Sequence, residues 1–389
     1  MKHAFYLICA LIITGCNSHS SSDKTTAAEK LNILVGSYTA PGDTALRLLE
    51  FDPTTPELQV IAGTAAPENA SYFTEANDGI IYGVSEDRQD KARAWALRLN
   101  KDPEKHVNFE LLDTVATNGS APCYISISPD GNFAVTANYD GETVTIMPID
   151  KQTKALGAPV QYLHFSGKGP MAGRQDSSHP HCATFTPDSK YLIVNDLGSD
   201  KISMFDIATD SDSLVITESR REINLIPGSG PRHIVFDNDG QFAYLINELS
   251  DSVTVLSYSD QTLTPIQYIA ANTTNAHGAA DIHMSPDGKN IYASLRLSND
   301  GIASFSVDPE NGKVEYIGHT LTNAHPRNFL ITPDGQYILV ASRDAGSIEV
   351  FRRDTETGLL SPCSTLSGIK GVVCLKLIKG RSECRSECN

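Results

Sequence analysis

The chain has a single Trp in 389 residues, and aromatic side chains make up only 7% of it. It therefore carries no row of flat rings on which nucleic-acid bases could stack. Positive charge is also scarce. Lys and Arg number 31 against 47 Asp and Glu, a net charge of −16 with a pI of about 5.1. Phosphate-backbone binding draws on a basic patch, so a nucleic-acid partner is excluded. Beyond residue 15 no apolar run approaches the roughly 20 residues that a bilayer span needs. A sustained 3.6-residue apolar period is missing, which disfavours a helical array. No G-x-x-x-x-G-K-[ST], G-x-S-x-G or H-E-x-x-H occurs, and GKGPMAG has the wrong spacing for a dinucleotide fingerprint. His179 and His181 stand two apart, but Pro180 bends the strand between them and no third ligand is evident, so no metal and no cofactor are expected.

What is present begins with a targeting segment. Lys2 and His3 precede an apolar run from Ala4 to Gly15, too short to span a membrane. Ile13-Thr14-Gly15-Cys16 resembles the bacterial lipobox, which implies cleavage before Cys16 and a lipid on that thiol. The polar stretch that follows cannot bury enough apolar surface to fold and reads as a tether. The expected organisation is a signal peptide over 1–15, a tether over 16–30, a folded unit over 31–379 and a Cys-containing tail over 380–389. The location expected is the cell envelope, with the membrane touched only through the N-terminal lipid. Six Cys remain beyond Cys9 and Cys16, at 123, 182, 363, 374, 384 and 388. Their spacing fits no zinc template, and their pairing is not readable from sequence.

One turn organises the folded unit. It recurs as Asn77-Asp78-Gly79, Pro129-Asp130-Gly131, Pro187-Asp188-Ser189, Asn238-Asp239-Gly240, Pro286-Asp287-Gly288 and Pro333-Asp334-Gly335. Pro presets φ, Asp bonds back to the backbone and Gly takes φ > 0. Ser189 replaces Gly once, so that turn is expected to be strained or of another type. The Asp-to-Asp intervals of 52, 58, 51, 48 and 47 residues each hold four short strands. One such sheet cannot bury both faces, but radial stacking of blades can. Six turns make six blades. NILVGSYT, LRLLEF and LQVIAG near the N-terminus, with GVVCLKLI from Gly371 to Ile378, make a seventh. The fold class is thus all-β: a seven-bladed β-propeller of four antiparallel strands per blade, closed by N-terminal strands plus a C-terminal one.

The turns also serve as a ruler. Residues seven before each Asp and nine after it lie at one mouth of the central channel. Seven back gives Ser71, Cys123, His181, Arg232, Ala280 and Arg327; nine forward gives Asp87, Tyr139, Leu197, Glu248, Arg296 and Arg343. An acidic protein has gathered cations in blades three to six, with His179, Asn247, Asp281 and His283 beside them. Arg232, Arg296 and Arg327 suit a carboxylate or phosphate, and a His or Glu suits proton transfer. The long link from blade two to blade three, SGKGPMAGRQDSS, enters at the same mouth, so Arg174 and Gln175 are expected to reach inwards.

GSGPRHIVFDNDGQFAYLINELSDSVTVLSY, HPHCATFTPDSKYLIVNDLG, AADIHMSPDGKNIY and HPRNFLITPDGQYILVAS resemble the bacterial 6-phosphogluconolactonase family of propellers, which includes the fungal carboxy-cis,cis-muconate cyclase. The resemblance covers Leu31 to Ile378 and implies a lactone-processing activity that needs no cofactor. It also implies a site built on His179, His181, Arg232, Glu248 and Arg296. The expected catalytic set is His181, Glu248, Arg232 and Arg296, with His179, Arg327, Asn247, Asp281 and Arg174 binding a small anionic lactone or sugar acid. The general base is His181 or Glu248. A muconate-type cycloisomerase and a non-catalytic envelope-binding propeller are the alternatives. Export departs from a cytoplasmic sugar-phosphate enzyme, and the tail GRSECRSECN has no counterpart in the family pattern.

Overall fold

Each Asp turn joins the two innermost strands of one four-stranded antiparallel sheet in the computed structural model, which describes residues 29–379 except 102–105, 211–212 and 273. The expected signal peptide, the lipidation expected at Cys16 and the tail from 380 lie outside the described residues. Blades 1 to 6 run in chain order: Ala70–Ala116, Pro122–His164, Pro180–Asn224, Pro231–Ala270, Ala279–Leu321 and Pro326–Ser367. Blade 7 takes its innermost strand from Val372–Ile378 and its outer three from Leu31–Ser37, Leu46–Asp52 and Glu57–Thr64. Ile33 pairs Leu377 and Val35 pairs Leu375, so the two ends of the fold are clasped in one sheet. That leaves no open radial edge. The seven-bladed fold expected from the sequence is the fold observed.

The blades are held by side chains between them. Seven apolar clusters are found among the described residues, and each draws on two neighbouring blades. Ile80, Tyr82 and Ala96 of blade 1 pack with Ile125, Ala134 and Met147 of blade 2. Leu34 and Cys374 of blade 7 pack with Phe73 and Trp95 of blade 1. The second strand of most blades is buried on both faces, as Tyr191–Asp196 and Tyr337–Ser342 are throughout. Near-continuous runs such as YILVAS follow from that burial. Trp95 occupies space that a side chain at Gly83 would close, since a Cβ there would fall 2.1 Å from the indole.

The Asp turns keep a common geometry. A hydroxyl two residues ahead of the Asp bonds its carboxylate, as Ser128, Thr186, Ser285 and Thr332 do at 2.5 to 2.6 Å. Ser189 sits at φ +61°, beside +73° for Gly131 and +69° for Gly240. Its turn is therefore the same turn, made at the cost of a left-handed Ser.

Candidate active site

At the end of the channel away from the Asp turns, backbone geometry builds two rings of seven. Every innermost strand breaks register with its neighbour at its second residue: Ser71, Cys123, His181, Arg232, Ala280, Arg327 and Val373. A bulge re-aims side chains locally, and here it recurs around the mouth. In blades 4 and 5 the break takes in two residues, Arg232 with His233 and Ala280 with Asp281. The second ring follows the second strand of each blade. Its amide bonds the carbonyl just ahead of the inner strand: Tyr38 to Gly371, Glu86 to Asn69, Tyr139 to Ala121, Leu197 to His179, Glu248 to Gly230, Arg296 to Gly278 and Arg343 to His325, at 2.7 to 3.1 Å.

Glu248 is the hub. Its Oε2 accepts from Arg232 Nε at 2.9 Å and pairs with Arg296 Nη2 at 3.2 Å, while Arg174 Nη2 bonds Oε1 at 2.6 Å. Burial alone would raise its pKa, but Arg296, Arg232 and Arg174 outweigh it and hold the carboxyl at about 2. His181 Nε2 lies 4.0 Å from Glu248 Oε2, and its Nδ1 faces Cys123 Sγ at 3.6 Å. Burial and then Arg232 push the His181 pKa well below its ordinary value, so the imidazole is neutral at physiological pH. Arg232 Nη1 donates to the Ala280 carbonyl at 2.5 Å, and Arg296 Nε to that of Gly278 at 2.8 Å. These carbonyl bonds fix both guanidiniums. Arg296 is pushed down by burial and by the crowding of Arg232, Arg327 and Arg343, a strain that a bound anion relieves.

A second carboxylate stands elsewhere on the same mouth. Tyr38 Oη donates to Glu86 Oε2 at 2.7 Å, and Arg327 Nη2 is 3.7 Å from that oxygen and stacks over the Tyr38 ring. Burial raises the Tyr38 pKa, so its proton stays on. Arg343 pairs with Asp344 at 2.7 Å. Five guanidiniums (Arg174, Arg232, Arg296, Arg327, Arg343) thus meet three carboxylates (Glu86, Glu248, Asp344), a local surplus of two positive charges in a chain of net −16. Beneath Arg232 and Arg327 the channel narrows to a cavity of about 10 Å³, room for about one water.

The loop of residues 166–178 reaches the mouth as expected, and its anchor explains how. Gln175 is fully buried and donates to the Leu197 carbonyl and to Asp200, both at 2.8 Å. A Cβ at Gly198 would lie 1.9 Å from the Ser177 carbonyl, so only Gly lets the loop lie so close. Arg174 is then delivered to Glu248 with its side chain still 37% exposed. His179 stacks on Tyr139, centroids 4.3 Å apart, and its Nδ1 meets the Tyr139 carbonyl at 2.9 Å.

Two expected binding residues lie elsewhere. Asn247 donates to Ser252 at 3.1 Å and Thr254 at 2.8 Å within its own blade. Asn138 makes the same two bonds in blade 2, so Asn247 is a repeated structural group rather than a substrate contact. It precedes Glu248 by one residue, and alternation turns it the other way. Asp281 sits a layer deeper, bonded to His233 at 2.8 Å, to His283 at 2.9 Å and to Asn328. Burial and then Arg232 hold His233 at about 3. The ruler also slips in blade 1. Asp78 is two residues from its second strand whereas Asp130 is three from its own, so Glu86 holds the ring position assigned to Asp87. Asp87 instead accepts from Asn69 at 2.9 Å. Tyr38 escaped because no Asp turn precedes its strand. No group of His, Cys, Asp and Glu able to hold a metal occurs among the described residues. Among the described residues Cys123, Cys182, Cys363 and Cys374 form no disulfide with one another.

Residues 32–377 match a family model described as "Lactonase, 7-bladed beta-propeller". The 6-phosphogluconolactonase of Formosa agariphila is 34% identical over 336 residues, covering 84% of this chain and 94% of that protein. That of Bacillus subtilis is 31% identical over 353 residues, with 88% and 97% covered. Among solved structures, a Bacteroides fragilis protein provisionally named a 6-phosphogluconolactonase is 41% identical with a TM-score of 0.85, covering 92% of this chain and 100% of that one. The periplasmic gluconolactonase of Pseudomonas aeruginosa is 27% identical with a TM-score of 0.78, covering 90% and 99%.

Proposed function

From the premise that the chain belongs to the seven-bladed β-propeller lactonase family, we propose that it hydrolyses an anionic sugar lactone at the arginine-lined mouth. It is read as an enzyme, a lactonase, in keeping with the 6-phosphogluconolactonases and the gluconolactonase it is similar to. Those names favour hydrolysis over the cycloisomerase and the non-catalytic scaffold. The observation that carries the reading is one carboxylate gripping three arginines beside a neutral histidine.

The proposed chemistry follows from the charge states. Glu248, at about 2, is too weak a base to take a proton from water efficiently. His181 is also unprotonated, and among the described residues its Nε2 is not engaged by a guanidinium as the Glu248 oxygens are, so it takes that role. Its lone pair accepts a proton as the water oxygen bonds the lactone carbonyl carbon. Glu248, 4.0 Å away, then faces an imidazolium and stabilises it. The carbonyl oxygen becomes an oxyanion, held by Arg232 and Arg296, whose orientation costs nothing at that moment because backbone carbonyls already fix them. On collapse the ring C–O bond breaks and its oxygen takes the proton back from His181, leaving an open hydroxy acid. Arg327 and the exposed Arg174 bind the substrate anion, and Tyr38 with Glu86 line the facing wall.

A panel of 6-phosphogluconolactone, glucono-δ-lactone and a uronic acid lactone tests the reading. Hydrolysis of at least one well above its spontaneous rate is expected; background rates for all would defeat it. Export and lipidation at Cys16 are part of the same proposal, supported by the lipobox-like sequence and by the periplasmic relative. Cys16→Ser should move the protein from the membrane fraction to the soluble one, and unchanged membrane retention would contradict the anchor.

A further inference from the structure

The larger cavity is at the other end of the channel. Among the fifth residues of the innermost strands, blades 1 to 3 carry Thr74, Ser126 and Thr184, where blades 4 to 6 carry Val235, His283 and Leu330. The small hydroxyl side leaves a cavity of about 550 Å³ opening beside the Asp78 and Asp130 turns. That volume suits a small metabolite. Its inner end is closed by Tyr72 and Tyr124, stacked with centroids 4.3 Å apart. Blade 7 contributes Lys376 to the same layer. Its ammonium lies 4.6 Å over the Tyr72 ring and donates to Tyr72 Oη at 3.2 Å. Among the described residues Lys376 forms no ion pair.

The lining specifies a chemistry. A lone ammonium at the inner end, with the Tyr72 proton and the Thr74 and Thr184 hydroxyls in the same lining, offers a carboxylate several donors. The rim is acidic. Asp78 is engaged by Lys154 at 3.1 Å and Asp130 by Ser128 at 2.5 Å and Asn132 at 2.9 Å. Their remaining lone pairs accept bonds from hydroxyls but repel a phosphate dianion. We propose that this cavity is a second binding site, for a monoanionic polyhydroxy acid whose carboxylate meets Lys376 and whose hydroxyls meet the rim. Lactone hydrolysis would release such a molecule, but the inference rests on the cavity alone and stands whatever the other mouth does.

Calorimetric titration of the full chain with D-gluconate and with inorganic phosphate tests it, using Arg232→Ala/Arg296→Ala to silence the other mouth. Gluconate should still bind the double variant, with phosphate at least 10-fold weaker. Lys376→Met in that background should weaken gluconate about 10- to 100-fold, the worth of one charge-assisted bond. Thr184→Leu, which fills the cavity as Val235 and Leu330 do elsewhere, should weaken it comparably. If the double variant does not fold, Thr184→Leu alone should remove one of two gluconate events from the otherwise unchanged chain. No gluconate binding at the double variant, phosphate binding more tightly than gluconate, or affinity unchanged by both pocket substitutions would each overturn the proposal.

Discussion

The two mouths of the channel are built from the same seven strands, yet they invert each other's properties. One gathers five arginines and three carboxylates above a constriction of about 10 Å³ that Arg232 and Arg327 line; the other opens to about 550 Å³, with Lys376 at its inner end and Lys154 at its rim. The roomier end is not the better candidate for chemistry. Catalysis needs charges fixed before the substrate arrives, and those are held by backbone carbonyls at the tight end. Volume reports where a molecule fits, whereas converging, perturbed ionisable groups report where a bond can break.

The largest expected contrast is in turnover. Glu248→Gln keeps the shape but removes the charge that pairs with Arg232 and Arg296 and stabilises the imidazolium. A loss of about 10²- to 10³-fold in kcat/KM is expected. Thr184→Leu at the far end should stay within about twofold. Steady-state assay of both variants on the same lactone checks this. Equal losses would erase the distinction between the mouths.

The next contrast is in pH. Glu248 titrates at about 2 in the fold, below its ordinary 4.5, so its stabilisation is present above about pH 4.5 and is lost as pH falls towards 2. That amounts to about 3 kcal/mol. His181, depressed below 6.5, adds a loss in the same direction as acid protonates the unfolded chain first. Urea melts from pH 6 to 2 should therefore fall steeply for the native protein and less so for Glu248→Gln. For activity, the acid limb of kcat/KM should lie well below pH 6.5. It should climb towards 6.5 in Arg232→Ala, because that arginine is one of the groups holding the imidazole neutral.

Much of this was legible in the sequence, for an identifiable reason. The Asp turns mark the end of every inner strand in blades 1 to 6, so counting from them found Arg232, Glu248, Arg296, Arg327 and His181. The count failed where the spacing itself changes. The blade 1 turn is one residue shorter, which hid Glu86, and the clasped blade has no turn ahead of Tyr38. The count sampled only the second residue of each inner strand, so it passed over His233, which stands one residue further along beside Tyr72 and Tyr124. Asn247 misled because it adjoins Glu248 in the chain while serving the blade interior. The wide lower cavity follows from side-chain size at one register position, visible once the seven strands are aligned.

The most direct test is hydrolysis of an anionic sugar lactone by the native chain and by Arg232→Ala, read above the spontaneous rate. Clear turnover by the native protein, cut at least 100-fold in a variant that still folds, is expected if the arginine-lined mouth does the chemistry. Turnover that survives Arg232→Ala unchanged would place the reaction elsewhere and contradict the assignment.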